Sequence, residues 1–160
     1  MTATTATFAN DRNLRAYALA LLRHHSLQVA GKEEGVEFEA IEDKLSELWE
    51  ALSETQRHHA RGISSDLNWI RRGYSPPPKG RKPEEVSQGE LDEFHRLHEA
   101  KDYAPLLHSL RICAAALSAV FVASCRAACY NNLGLPEVAL AFHEAAEVRS
   151  PTSEREVAIS

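Results

Sequence analysis

The reading of the fold turns on residues 35–52, GVEFEAIEDKLSELWEAL. Phe38, Ile41, Leu45, Leu48, Trp49 and Leu52 recur there at three- and four-residue spacing. That spacing gathers them into one stripe of an α-helix and leaves the carboxylates on its other faces. Nothing in the stretch alternates with the period of two that a half-buried strand requires. The same spacing appears on both sides of it. Upstream, Leu14, Tyr17, Ala18, Leu21, Leu22 and His25 share a face, with Asn10 or Asp11 placed to cap the helix and Gly31 to stop it. Residues 1–10 read as loose, with Phe8 the lone large apolar side chain. Downstream, Ser53 and Gln56 have the spacing of a capping box. They open a third helix to about Arg72, with Ile63, Leu67 and Ile70 inward and Gly62 costing about 1 kcal/mol relative to Ala.

Residues 73–83, GYSPPPKGRKP, cannot be helical, because proline lacks the donor and favours an extended path. They read as a linker or strap. Ser87 and Glu90 form a second capping-box pattern, opening a helix with Leu91, Phe94, His95 and His98 on one face. A break falls near Lys101 and Asp102. From Pro105 to about Tyr130 the run carrying Leu106, Leu110, Cys113, Leu117, Val120, Phe121 and Ala128 has no internal stop, so it reads as one bent helix or two. Asn132, Leu133 and Gly134 end it, and Pro136 opens a last helix with Val138, Ala139, Phe142, Ala145 and Ala146 inward. The expectation is an all-α bundle of about six to seven helices. It comprises a three-helix unit (1–72), a basic Pro-rich linker or strap (73–86), repeat-like helical hairpins (87–151) and a tail (152–160).

The chain has 160 residues, 44% hydrophobic and 26% charged, with net charge −5. A wholesale nucleic-acid binder would be basic. The N-terminus lacks the charged start and apolar block of a signal peptide. The longest uncharged run lies between Arg111 and Arg126, short of the roughly 20 residues a bilayer span needs. Three cysteines, Cys113, Cys125 and Cys129, fit a reducing compartment, so the cytoplasm is expected.

Lys101-Asp102-Tyr103 and Gly134-Leu135-Pro136 stand 33 residues apart, and both separate helices. A period near 34 marks tetratricopeptide repeats. Ala127, Tyr130, Gly134, Ala139, Ala146 and Pro151 fall at the spacing of that family's small, aromatic, turn, small, small and proline positions, so the segment 87–151 resembles the family. Its opening Trp and Leu positions fall on Ala123 and Arg126, and its second-helix aromatic position falls on His143, with Phe142 one residue early. In the first unit Lys101 stands at the turn Gly and the closing Pro is absent. The resemblance implies a scaffold for protein partners with no chemistry of its own; a generic helical bundle is the other reading of the same residues.

Catalytic patterns are missing. There is no Gly-x-Ser-x-Gly, no Gly-rich phosphate loop, no His-Glu-x-x-His and no Glu-x-x-His. No histidine has an arginine five to seven residues before it. Of eight histidines, His95 and His98 share a helix face and are the weak candidates for a metal, with His108 or His143 as further ligands. The plainer reading is helix surface or partly buried core, with no metal and no cofactor. Cys125 and Cys129, one turn apart, read as small apolar packers.

Charge is segregated. Residues 31–54 carry net −7, residues 55–83 net +6 and residues 84–102 net −5. The basic block holds Arg57, Arg61, Arg71, Arg72, Lys79, Arg81 and Lys82, with His58, His59, Trp69 and Tyr74 interleaved. It reads first as internal complementarity, a basic hairpin and strap between acidic neighbours. It could also grip phosphates and stack on bases, or serve as a docking peptide for an acidic partner. The function expected is a non-catalytic protein–protein interaction module, an adaptor or accessory subunit with a protein partner. The alternatives are a nucleic-acid-binding accessory protein using residues 57–82 and a histidine-rich helical metalloprotein. No membrane is expected, and self-association stays open.

Overall fold

A computed structural model describes Phe8 and residues 11–72 and 81–149. Its described residues form seven α-helices and no strand: α1 Arg12–Val29, α2 Val36–Glu50, α3 Glu54–Arg71, α4 Gln88–Ala100, α5 Tyr103–Cys113, α6 Ala119–Asn132 and α7 Pro136–Arg149. The protein is all-α. Helices α1–α3 belong to one compact unit and α4–α7 to another. Tyr74, Lys79 and most of the Pro-rich stretch, Pro151, and the tail 152–160 lie outside the described residues.

Local chemistry sets the boundaries. The Asp11 carboxylate accepts from the Leu14 backbone N–H and caps α1. Ser53 and Gln56 close a reciprocal capping box on α3, and Ser87 and Glu90 close another on α4. The run from Pro105 to Tyr130 is two helices. A 3-10 turn at Ala114–Ala116 ends α5, Leu117 and Ser118 are extended, and the Ser118 hydroxyl accepts from the Phe121 N–H to start α6. That break resets the helical phase. Phe121 and Ala128, expected inward, are therefore exposed, and Val120 is half-buried.

In the first unit both α2 and α3 pack on α1. The His24 ring stacks on Phe38 with centroids 4.5 Å apart, and Tyr17 meets Trp49 at 5.6 Å, so α2 runs antiparallel to α1. Gln56 Nε2 donates to both Asp11 carboxylate oxygens, at 2.7 and 2.9 Å, aligning the starts of α1 and α3. Leu14, Ala18, Ala60 and Ile63 are at most 1% exposed and make the centre of this core. Ile70, expected inward, is half-buried. Phe8 departs from the expectation of a loose start: it is buried, its ring 4.8 Å from that of His59.

In the second unit α4 pairs with α5 and α6 with α7. The two hairpins close on the same turn. Lys101 (φ 56) and Gly134 (φ 88) are both left-handed. Asp102 N–H reaches Leu97 O at 3.2 Å, and 33 residues on Leu135 N–H reaches Tyr130 O at 2.8 Å. These are the six-to-one bonds of a Schellman stop. Gly31 ends α1 the same way, with Lys32 N–H on Leu27 O at 2.8 Å. Ala127, Tyr130, Ala139, Phe142 and Ala146 are all buried between α6 and α7. Small residues on facing helices let the backbones approach, and the two stacked rings fill the space they leave.

Candidate functional site

The most open aromatic cluster lies on α4 and α6. Phe94 is fully buried, and three rings gather on it. His98 lies nearly parallel to it (14°, 5.9 Å), His95 stands on edge at 5.5 Å, and Phe121 meets it on edge at 5.9 Å. His98 and Phe121 are 6.1 Å apart. His95 and His98 are exposed, and Phe121 keeps 38% of its surface open. Large apolar side chains left open around a buried anchor suit recognition of another molecule. The capping box of α4 and the Ser118 cap of α6 fix the two helices that carry these rings. The cluster supplies aromatic surface and imidazole nitrogens.

A second feature centres on Trp49. Guanidinium carbons of Arg57 and Arg61 lie 5.2 and 5.1 Å from the centre of its ring. Arg57 also donates from Nε and Nη2 to the Trp49 carbonyl, at 3.3 and 3.1 Å, and lies 3.5 Å from Glu54. Two cations on one ring add about 0.5–1 kcal/mol each at exposed sites. They tie the α2–α3 turn to the end of α2.

The basic block is contiguous in sequence but is not one surface within either unit. Arg57 and Arg61 serve Trp49 near the start of α3. Arg71 donates to Asn68, and Arg72 ends the helix, about 21 Å along its axis from Arg57. Arg81 pairs with Glu90, and the Lys82 backbone N–H donates to Glu85 at 3.3 Å, both in the other unit. Trp69 is 7% exposed, so its face is packed in the core rather than open for stacking. The contacts of Arg57 with Glu54 and of Arg81 with Glu90 are of the internal, charge-complementary kind.

Among the described residues no group of three His, Cys, Asp or Glu side chains could hold a metal ion. Cys113, Cys125 and Cys129 are buried thiols. A hydrogen bond from Cys129 holds the Cys125 thiol below its ordinary range against the effect of burial, whereas burial pushes Cys113 up. The Cys113 thiol donates to the Glu90 carbonyl at 3.5 Å. His25 is buried near the end of α1, its pKa lowered first by burial and then by Arg71 and His24.

Sequence periodicity missed the exposure of Phe121, whose one signal is Ser118 three residues before it, the spacing of a helix cap. It also missed the buried Asp66, which lies on the inward face with Ile63 and Leu67. No helix among the described residues is long and apolar enough to cross a membrane. No protein-family model, no curated protein and no solved structure matches this chain.

Proposed function

We propose that this chain is a non-catalytic protein–protein interaction module, an adaptor or accessory subunit whose partner docks on the α4–α6 face. The observation that carries the reading is Phe121, open at 38% over the buried ring of Phe94 with His95 and His98 beside it. Two hairpins closed by the same turn 33 residues apart support it, since such pairs present one helix each to a shared face. The buried thiols accord with a reducing compartment, and the cytoplasm is where we place the module.

The test replaces Phe121 with a photoreactive phenylalanine analogue in the source cell. A discrete protein adduct at position 121, absent when the same residue is placed at exposed Arg96 on another face of α4, is the expected result. Adducts only to nucleic acid, or equal labelling from both positions, would overturn it. Phe121→Ala should abolish capture of that partner while leaving the circular-dichroism spectrum unchanged.

A further inference from the structure

The first unit carries a surface that the α4–α6 reading does not use. Helix α2 rests on α1, and α3 reaches it chiefly through Arg57 and Arg61 at Trp49. Of its apolar stripe, Phe38 and Leu52 at the ends are buried, and Ile41, Leu45, Leu48 and Trp49 between them are only half-buried. They form a strip about 12 Å long, two turns of helix, partly open to water. Carboxylates border it. By the 3.6-residue period, Glu39 and Glu42 run along one side and Glu37 and Glu47 along the other, all exposed, with Lys44 the one base in the helix. Glu37 pairs with Arg23, and Glu42 lies 3.6 Å from His24, which leaves Glu39 and Glu47 as the outward charges of the rim. At the end of the strip the two guanidiniums on Trp49 replace the acidic border with a basic one.

An apolar strip between rows of carboxylates is complementary to a helix with apolar anchors at three- and four-residue spacing and lysine or arginine on its flanks. A second copy of the chain would bring the same acidic rim against this one, a like-charge contact that disfavours pairing. We propose that the open stripe of α2 docks a basic amphipathic helix from a partner protein, with its apolar residues on Ile41, Leu45 and Leu48. The strip is separate from the α4–α6 face, so either can fail without the other.

The test titrates the full chain by calorimetry with a synthetic peptide about five helical turns long, leucine at three- and four-residue spacing and lysine on the flanks. Two charge-reversal variants provide the comparison. Glu42→Lys with Glu47→Lys changes the rim. Glu84→Lys with Glu85→Lys makes the same change in net charge at exposed positions of the other unit. The expected result is one saturable site that weakens about tenfold in the rim variant and by less than about twofold in the other. Four results overturn the proposal: no saturable binding, equal binding of a glutamate-flanked peptide, equal loss in both variants, or self-association of the chain that Leu45→Glu abolishes. Circular dichroism of each variant confirms that it is folded.

Discussion

The ring of Phe142 lies flat against that of Tyr130, with centroids 5.5 Å apart and planes 10° from parallel. Both are fully buried, one on α6 and one on α7. Phe142 stands one residue before the position where a tetratricopeptide repeat carries its second-helix aromatic, and His143 at that position is exposed. The neighbouring residue thus supplies the ring that the small residues of the hairpin leave room for.

Phe142→Ala should therefore lower stability by about 3–5 kcal/mol, the cost of a large aromatic lost from a core. Phe142→Leu should cost clearly less, since it keeps most of the volume. Urea unfolding of the two variants measures the difference. Equal losses would mean that ring stacking, rather than filled volume, holds the hairpin.

The paired turns make opposite predictions. Lys101 holds a left-handed backbone at φ 56, a conformation that a side chain disfavours and glycine adopts without strain. Lys101→Gly should raise stability by up to about 1 kcal/mol. At the equivalent position Gly134, φ 88, substitution by Ala should lower it by about 1 kcal/mol or more. Thermal melting of both variants tests the equivalence directly.

Each capping box has a removable half. Ser53→Ala takes the acceptor from the Gln56 N–H, and Ser87→Ala takes it from the Glu90 N–H. Each should cost about 1 kcal/mol. The Ser87 variant should also raise the Glu90 pKa, because hydrogen bonds from Ser87 head the contacts that lower it. Titration followed by NMR reads that shift.

His25 makes stability depend on pH. Burial, with help from Arg71 and His24, lowers its pKa in the folded chain. The unfolded chain therefore binds the proton more readily. The contribution of His25 is fully present above the unfolded value, about 6.5, and is lost as pH falls through the lower folded value. The urea midpoint should decline from about pH 7 to about pH 5, before carboxylates protonate, and His25→Gln should flatten that decline. An unchanged slope in the variant would exclude His25 as its source.

Arg57 and Arg61 predict a spectroscopic effect. With Trp69 replaced by Phe, emission comes from Trp49 alone. Removing both guanidiniums with Arg57→Ala and Arg61→Ala should shift that emission to longer wavelength as water reaches the ring. The loss in stability should be about 1–2 kcal/mol. An unshifted spectrum would mean that the two side chains do not shield the indole.

Much of the architecture could be read from the amino acids because the signals involved are local. Asp11, Ser53 and Ser87 cap the helices they precede, since a side-chain oxygen one turn from an orphan N–H needs no tertiary partner. Gly31 and Gly134 stop helices for an equally local reason, a backbone that only glycine adopts freely. The stripe of α2 was visible for the same cause: helical period depends on spacing alone.

Other features needed the folded chain. The break between α5 and α6 passes through Ala114-Ala115-Ala116-Leu117, residues that favour helix, so no propensity marked it, and it alone turned Phe121 outward. The seven bases of residues 55–83 look like one surface in sequence, yet a helix axis separates Arg57 from Arg71, and Arg81 belongs to the other unit. Sequence order carried the helices, their caps and their apolar faces, all set within one or two turns of chain. Which of those faces stayed open to water depended on contacts between helices far apart in sequence. Those contacts left α2 resting on α1 and placed Phe121 over Phe94.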